Sequence, residues 1–149
     1  MTGVMNGPSY RFRLERVRAL RERREEQAKQ DFAAALVARE HAREERDKLT
    51  QRIVAAHQAQ LAAAAGELAQ HQSYVERLER TQELATQELA RHEAELTRRR
   101  AALTRASQDR ESLERLKERG LAEHNREQAR VEQSMLDEIA GNSHWRQAA

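Results

Sequence analysis

A seven-residue repeat running from Val75 to Leu116 constrains this chain more than any other feature. Val75, Gln82, Leu89, Leu96, Leu103 and Arg110 occupy one heptad position, and Leu78, Ala85, His92, Arg99, Ala106 and Leu113 follow three places after each. A mean spacing of about 3.5 residues keeps one narrow stripe of a helix turned toward a partner helix, which is the a/d seam of a coiled coil. The seam is long, thin and imperfect. Gln82, His92, Arg99 and Arg110 stand where a stable zipper carries aliphatics, so stability is given up for register, partner choice or exchange.

Composition supports helices and little else. Of 149 residues 35% are charged and only 3% aromatic, and much of the 38% apolar share is alanine, so the chain cannot fill a wide globular core. One extended all-α domain is expected. Acids and bases nearly cancel, to a formal charge of +2, and interspersed charge of this kind describes a solvated helix face rather than a nucleic-acid surface. Cysteine is absent, which excludes disulfides and thiolate metal sites. The longest small-apolar run, Leu61 to Ala65, is too short to span a bilayer, and Met1 to Ser9 lacks the apolar stretch of a signal peptide. A soluble cytoplasmic protein is expected.

Along the chain, residues 1–8 hold two glycines and the only proline and read as a disordered lead. Ser9 is a fair N-cap, and no proline follows it. The first helix is predicted over about 9–62. Its opening apolar residues, Phe12, Leu14, Val17 and Leu20, lie among arginines from Arg11 to Arg24. From Phe32 a heptad phase settles, with Phe32, Ala35, Ala42, Leu49, Ile53 and Ala56 in the seam and Arg39 and Arg46 at its remaining positions. Gly66 is the only glycine between Pro8 and Gly120. Glycine costs about 1 kcal/mol in a helix interior and readily adopts positive φ, so the reversal is predicted over about 63–71. The second helix then covers about 72–140, and 141–149 form a flexible tail after a Gly141-Asn142 C-cap. One unbroken helix is the alternative.

An antiparallel hairpin turning near Gly66 pairs Ile53 with Val75 or Leu78, Ala42 with Leu89, Ala35 with Leu96 and Leu14 with Leu116. At about 1.5 Å per residue the paired part would be a rod of roughly 80 Å. The pairs Glu25/Lys29, Glu44/Lys48, Glu76/Arg80, Glu95/Arg99 and Glu111/Arg115 stand four residues apart, each worth about 0.2 to 0.5 kcal/mol to the helix. The second helix outruns the first, and Leu121 to Ala140 would project as a helix without an intramolecular mate. That overhang carries its own stripe, Val131, Met135, Leu136 and Ile139. An apolar stripe with no internal partner predicts an external one, with fraying or self-dimerisation as the alternatives.

No chemistry-bearing constellation emerges. None of the six histidines has a glutamate three residues before it, as a bundle di-metal site requires, and the glycines are scattered singly, so no phosphate-cradling loop exists. A two-helix rod offers no concavity in which carboxylates could be desolvated. No enzyme activity, catalytic residue, metal or cofactor is expected. Glu15, Glu22, Glu25 and Glu26 interrupt the basic run from Arg11 to Arg24, which argues against a DNA-reading helix.

Three stretches carry a resemblance. Tyr10 to Arg24, read YRFRLERVRALRERR, is similar to the start of the flagellar FliJ family. Leu113 to Arg119, followed by Glu132 to Ala140, resembles its close, and Tyr74 to Leu78 sits where that family has an aromatic-aliphatic stretch. The similarity covers Tyr10 to Ala140. It implies an antiparallel coiled coil of the flagellar type III export apparatus, similar to the stalk of rotary ATPases. The implied partners are the export ATPase hexamer, the cytoplasmic domain of the export gate and export chaperones. Nucleic acid is not among them, and contact with the membrane would come through partners only. The implied location is the cytoplasm, with recruitment to the cytoplasmic face of the inner membrane at the flagellar base.

On this resemblance Leu113, Leu116, Lys117, Arg119, Met135, Leu136 and Ile139, with Leu14 and Val17 opposite, would engage the ATPase. Tyr74 and Leu78, with Ile53 and His57 on the facing helix, would contact the export gate. Leu78, Ile53 and Leu113 lie in the seam, where packing alone would account for them. Gly120 stands where the family continues with a larger side chain, and a kink at the root of the overhang is expected there. An injectisome counterpart, a generic coiled-coil scaffold and a basic-helix nucleic-acid binder remain as alternatives.

Overall fold

A computed structural model describes residues 9–148. The lead over residues 1–8 expected to be disordered lies outside the described residues. Two long helices make an antiparallel hairpin: α1, Glu15–Leu61, of 47 residues, and α2, Leu68–Ala148, of 81 residues. Their contacts group into two units, residues 24–106 around the turn, and residues 9–23 with 107–148.

In the turn unit the heptad pattern decides what is inside. Ala56, Val75 and Leu78 are buried, and Leu49 and Ile53 pack against them. Leu89 and Leu96 are buried farther along α2. Phe32, Ala35 and Ala42 are half-buried on α1, as the seam predicts. Two of the polar seam positions, Gln82 and Arg99, are bridged to the facing helix. Gln82 donates to the Thr50 hydroxyl across the helices at 2.7 Å, and Arg99 reaches Asp31 at 3.2 Å and Glu95 at 2.7 Å. These partners place Thr50 opposite Gln82 and Asp31 opposite Arg99, the register drawn from the apolar residues. The Arg100 guanidinium lies 5.8 Å from the centre of the Phe32 ring. Arg39 and Arg46 keep most of their length in the seam while turning to the neighbouring Glu40 and Asp47 at 3.0 and 2.8 Å.

Threonines and a serine, poor helix formers on their own, are accommodated by bonding back to the preceding turn. The Thr81, Thr86, Thr97 and Thr104 hydroxyls each donate to the carbonyl four residues earlier, at 2.9 to 3.1 Å. Four of the expected i,i+4 pairs form: Glu25/Lys29, Glu76/Arg80, Glu95/Arg99 and Glu111/Arg115. Lys48 instead pairs with Glu45 at 2.8 Å, three residues away rather than four.

The reversal falls between Leu61 and Leu68. α1 ends by tightening, with the Ala62 and Ala63 amides donating to the carbonyls three residues back, and a turn then closes from the Glu67 amide to the Ala64 carbonyl at 2.9 Å. Gly66 lies in that turn without a positive φ, and a Cβ there would meet nothing within 4 Å. The expectation that Gly66 supplies a left-handed residue is therefore corrected. The turn sits where the apolar seam stops: between Ala56 and Val75 no residue is buried, and Leu61, Leu68 and Tyr74 are exposed.

Both outer boundaries differ from those predicted. α1 begins at Glu15, not at Ser9, and Ser9 to Leu14 run as a non-helical strap that ends in a turn, the Glu15 amide donating to the Phe12 carbonyl at 3.2 Å. At the far end α2 passes through Gly141 and Asn142 to Ala148 instead of closing in a C-cap and tail. No tertiary group meets Gly141, and its φ is not positive, so glycine here merely weakens a helix that continues.

Candidate functional site

The terminal unit is built around the strap. Tyr10 leaves the helical path and lays its ring across α2, on Gly120 and beside His124, with ring centroids 5.6 Å apart and tilted by 43°. A Cβ at Gly120 would overlap the Tyr10 hydroxyl and stand 3.1 Å from Cζ. Gly120 is therefore a socket for an aromatic ring. α2 is helical on both sides of Gly120, whose φ is not positive, and the glycine admits a close side-chain approach.

Ion pairs fasten the first turns of α1 beside this socket. Arg18 bonds Glu15 at 2.7 Å and Glu114 of α2 at 2.8 Å, Lys117 of α2 lies 3.3 Å from Glu15, and Arg21 pairs with Asp109. The hydrogen bond from Arg18, assisted by Lys117, holds the Glu15 carboxyl below its usual range, and the same bonds to Glu15 and Glu114 raise the Arg18 guanidinium further. Two of the arginines that give the N-terminal stretch its basic character are thus engaged with acids. Above the pairs, Tyr10, Phe12, Leu14, Leu116, Arg119 and Gly120 line an open groove of about 670 Å³.

Every residue from Ala129 to Ala148 is exposed, and Met135, Leu136 and Ile139 show 55%, 60% and 65% of their surface. In the turn unit Tyr74 is exposed, and His57 lies 3.7 Å from Glu79 on the facing helix.

With this geometry in hand, the family model described as flagellar FliJ protein matches residues 10–149, from the strap's tyrosine to the end of α2. The chain belongs to the FliJ family. Comparison with curated proteins and with solved structures returns no match. Membership places the chain among flagellar proteins and accords with the two-helix architecture. Among the described residues no helix is long and apolar enough to cross a membrane, and no three metal-ligating side chains cluster.

The sequence-derived interface residues divide by environment. Leu14, Leu116 and Arg119 line the groove, and Val17 is 40% exposed on α1. Leu113 is half-buried in the seam. Lys117, expected among them from the resemblance, is turned to Glu15. Ile53 and Leu78 belong to the packed cluster near the turn, leaving Tyr74 and His57 as the accessible members of that group. Two residues escaped sequence reading. Tyr10 was only the first letter of a motif, and its ring stack with His124 spans 114 positions of chain; the glycine at 120, an isolated small residue in a charged helix, was the one available signal.

Proposed function

We propose that this FliJ-family protein is a non-enzymatic, stalk-like component of the flagellar type III export apparatus. It binds the export ATPase, promotes assembly and activity of the ATPase ring, and links the ring to the export gate and to substrate chaperones. The observation that carries the reading is the terminal stretch of α2, a regular helix whose stripe of Val131, Met135, Leu136 and Ile139 is exposed and has no mate among the described residues. Leaving such side chains in water forfeits roughly 1.5 to 3 kcal/mol of burial for each large aliphatic, which a partner surface recovers.

The groove formed by the strap supplies a second contact through Leu14, Leu116 and Arg119, with Val17, Leu113 and Lys117 supporting it from the paired helices. Tyr74 and His57 offer the gate an exposed patch, and Ile53 and Leu78 hold that patch in shape from beneath. The protein works in the cytoplasm and reaches the cytoplasmic face of the inner membrane through its partners. Engagement of Arg18 and Arg21 with carboxylates supports protein partners over nucleic acid.

The deciding experiment measures ATP hydrolysis by the cognate export ATPase with and without this protein, together with sizing of the mixture. Stimulation and a shift toward hexamer are expected, and both should be lost in a Leu136→Asp, Ile139→Asp variant of unchanged helical content. No stimulation and no comigration of the unaltered chain would refute the stalk reading. For the gate, Tyr74→Ala with His57→Ala should weaken binding to its cytoplasmic domain, and undiminished binding would remove that assignment.

A further inference from the structure

The turn between α1 and α2 contains nothing that compels a reversal. Ala62, Ala63, Ala64 and Ala65 are strong helix formers, neither proline nor positive φ occurs there, and a Cβ on Gly66 would meet nothing within 4 Å. The bend is shaped by backbone bonds from the Ala62, Ala63 and Glu67 amides to carbonyls three residues back. Leu61, the last residue of α1, is 89% exposed. Bending therefore forgoes the hydrogen bonds of a continuous helix and gains no burial at the turn itself.

The sequence on either side is phased for a straight helix as well. Ile53 and Val75 are 22 residues apart, and so are Ala56 and Leu78. At about 100° per residue that separation returns each pair to within about 40° of one face, since it equals two eleven-residue repeats. Ala64 and Leu68 fall within about 60° of Ile53 by the same rotation. The cross-helix bonds are centred on the turn: Thr50 with Gln82 and Asp31 with Arg99 have their midpoints at residues 66 and 65. A two-fold axis between Ala65 and Gly66 would re-form both bonds between two chains. From Gln58 to Val75 the only acid is Glu67 and the only basic side chain His71. About that axis they stand opposite Ala64 and Gln60 of the other copy, so no like charges oppose each other.

We infer that a second copy of this chain is a partner, and that two copies exchange their second helices by straightening residues 62–67. Each α1 then pairs with the α2 of the other chain along the seam now made within one chain. Every seam contact around the turn is replaced by an identical one, so the balance rests on the turn and on concentration. A short connection holds two arms at an effective concentration in the millimolar range, so exchange should reach parity at roughly that value, or lower as the continuous helix is favoured. Within the seam the Nε–H groups of Arg39 and Arg46 are buried without an acceptor among the described residues, which lowers the cost of parting the helices. The exchange is independent of the stalk reading.

Because the chain has no cysteine, Thr50→Cys with Gln82→Cys places a unique pair across the seam for a short bismaleimide linker. In the hairpin the linker closes one chain on itself, and in the exchanged pair it joins two chains, which a denaturing gel separates. After refolding at about 1 mM a joined dimer is expected, and at about 10 µM its loss. Light scattering on the unaltered chain should show the same dependence. Ala65→Pro is the decisive variant. Proline suits the second position of the turn that Glu67 closes onto Ala64, and it breaks a continuous helix, so the joined fraction should fall by more than about a hundredfold while the hairpin keeps its helical content. A chain that stays monomeric at about 1 mM overturns the exchange. A dimer by light scattering whose chains are each closed on themselves also overturns it, since two hairpins then lie side by side. An undiminished joined fraction in Ala65→Pro does the same.

Discussion

Replacing Gly120 by alanine should not have the effect that helix propensity alone predicts. Inside an ordinary helix the change is stabilising by roughly 0.5 to 1 kcal/mol, because alanine loses less backbone entropy. At Gly120, however, the new methyl group enters the volume of the Tyr10 hydroxyl. The obstructing atom is the far end of a side chain, so the ring swings away instead of the helices parting. What is lost is the packing of Tyr10 on α2 and its contact with His124, an aromatic pair worth about 0.5 to 1.5 kcal/mol. The two effects nearly cancel. In a Tyr10→Ala background nothing obstructs the methyl group, and the full propensity gain should return.

The coupling between the two sites is then about 0.5 to 1.5 kcal/mol, readable in a double-mutant cycle. Amide hydrogen exchange over residues 116–124 is the suitable assay, because it reports opening of this segment rather than of the whole hairpin. Protection factors should differ between the backgrounds by about twofold to tenfold, at 1.4 kcal/mol per decade. Equal stabilisation by Gly120→Ala with and without Tyr10 would show that the socket contributes nothing and would refute the reasoning.

Three further outcomes follow from the packing and the charges. Glu15 has its carboxyl held down by Arg18 and Lys117, so the folded form is favoured above the carboxyl's unfolded pKa, near 4.3, and that contribution disappears as pH falls through the lower folded value. A carbon-detected titration should place Glu15 below the usual glutamate range, and Arg18→Met should return it toward that range. Leu89→Ala, at a buried seam position, should cost about 2 to 5 kcal/mol in thermal melts, whereas Val37→Ala, 70% exposed on α1, should change stability by less than about 0.5 kcal/mol. Gly66→Ala should be neutral or stabilising by up to about 1 kcal/mol, since its backbone is ordinary and the space around it is open; a clear loss of stability would mean the turn needs glycine after all.

Much of the hairpin was legible because a coiled coil is governed by a short-range rule. A residue's place in the heptad predicts its burial whichever helix it meets, and Val75, Leu78, Leu89 and Leu96 are buried accordingly. Register was equally legible. Once the chain reverses near Gly66, matching aliphatics puts Ile53 beside Val75 and Leu78, and the polar bridge between Thr50 and Gln82 falls into the same alignment. The mechanism of the turn was misread, because a lone glycine suggests positive φ while an ordinary turn among alanines needs none. The candidate site was legible as a list of exposed aliphatics. Which of its members are accessible was not, since Leu78 and Ile53 are shared between seam and surface in the sequence but not in space.

Periodicity by itself determined that this chain is helical and which stripe of each helix faces inward, because those properties depend on neighbours three, four and seven residues away. Tertiary structure decided the rest. The start of α1 moved to Glu15 because Tyr10 finds its place on Gly120 and beside His124, a gain that no local propensity contains. Lys117 became a fastening residue because Glu15 is brought to it by the reversal of the chain. α2 runs on to Ala148 because nothing packed against Gly141 draws it into a left-handed cap, and the modest cost of glycine leaves the helix intact.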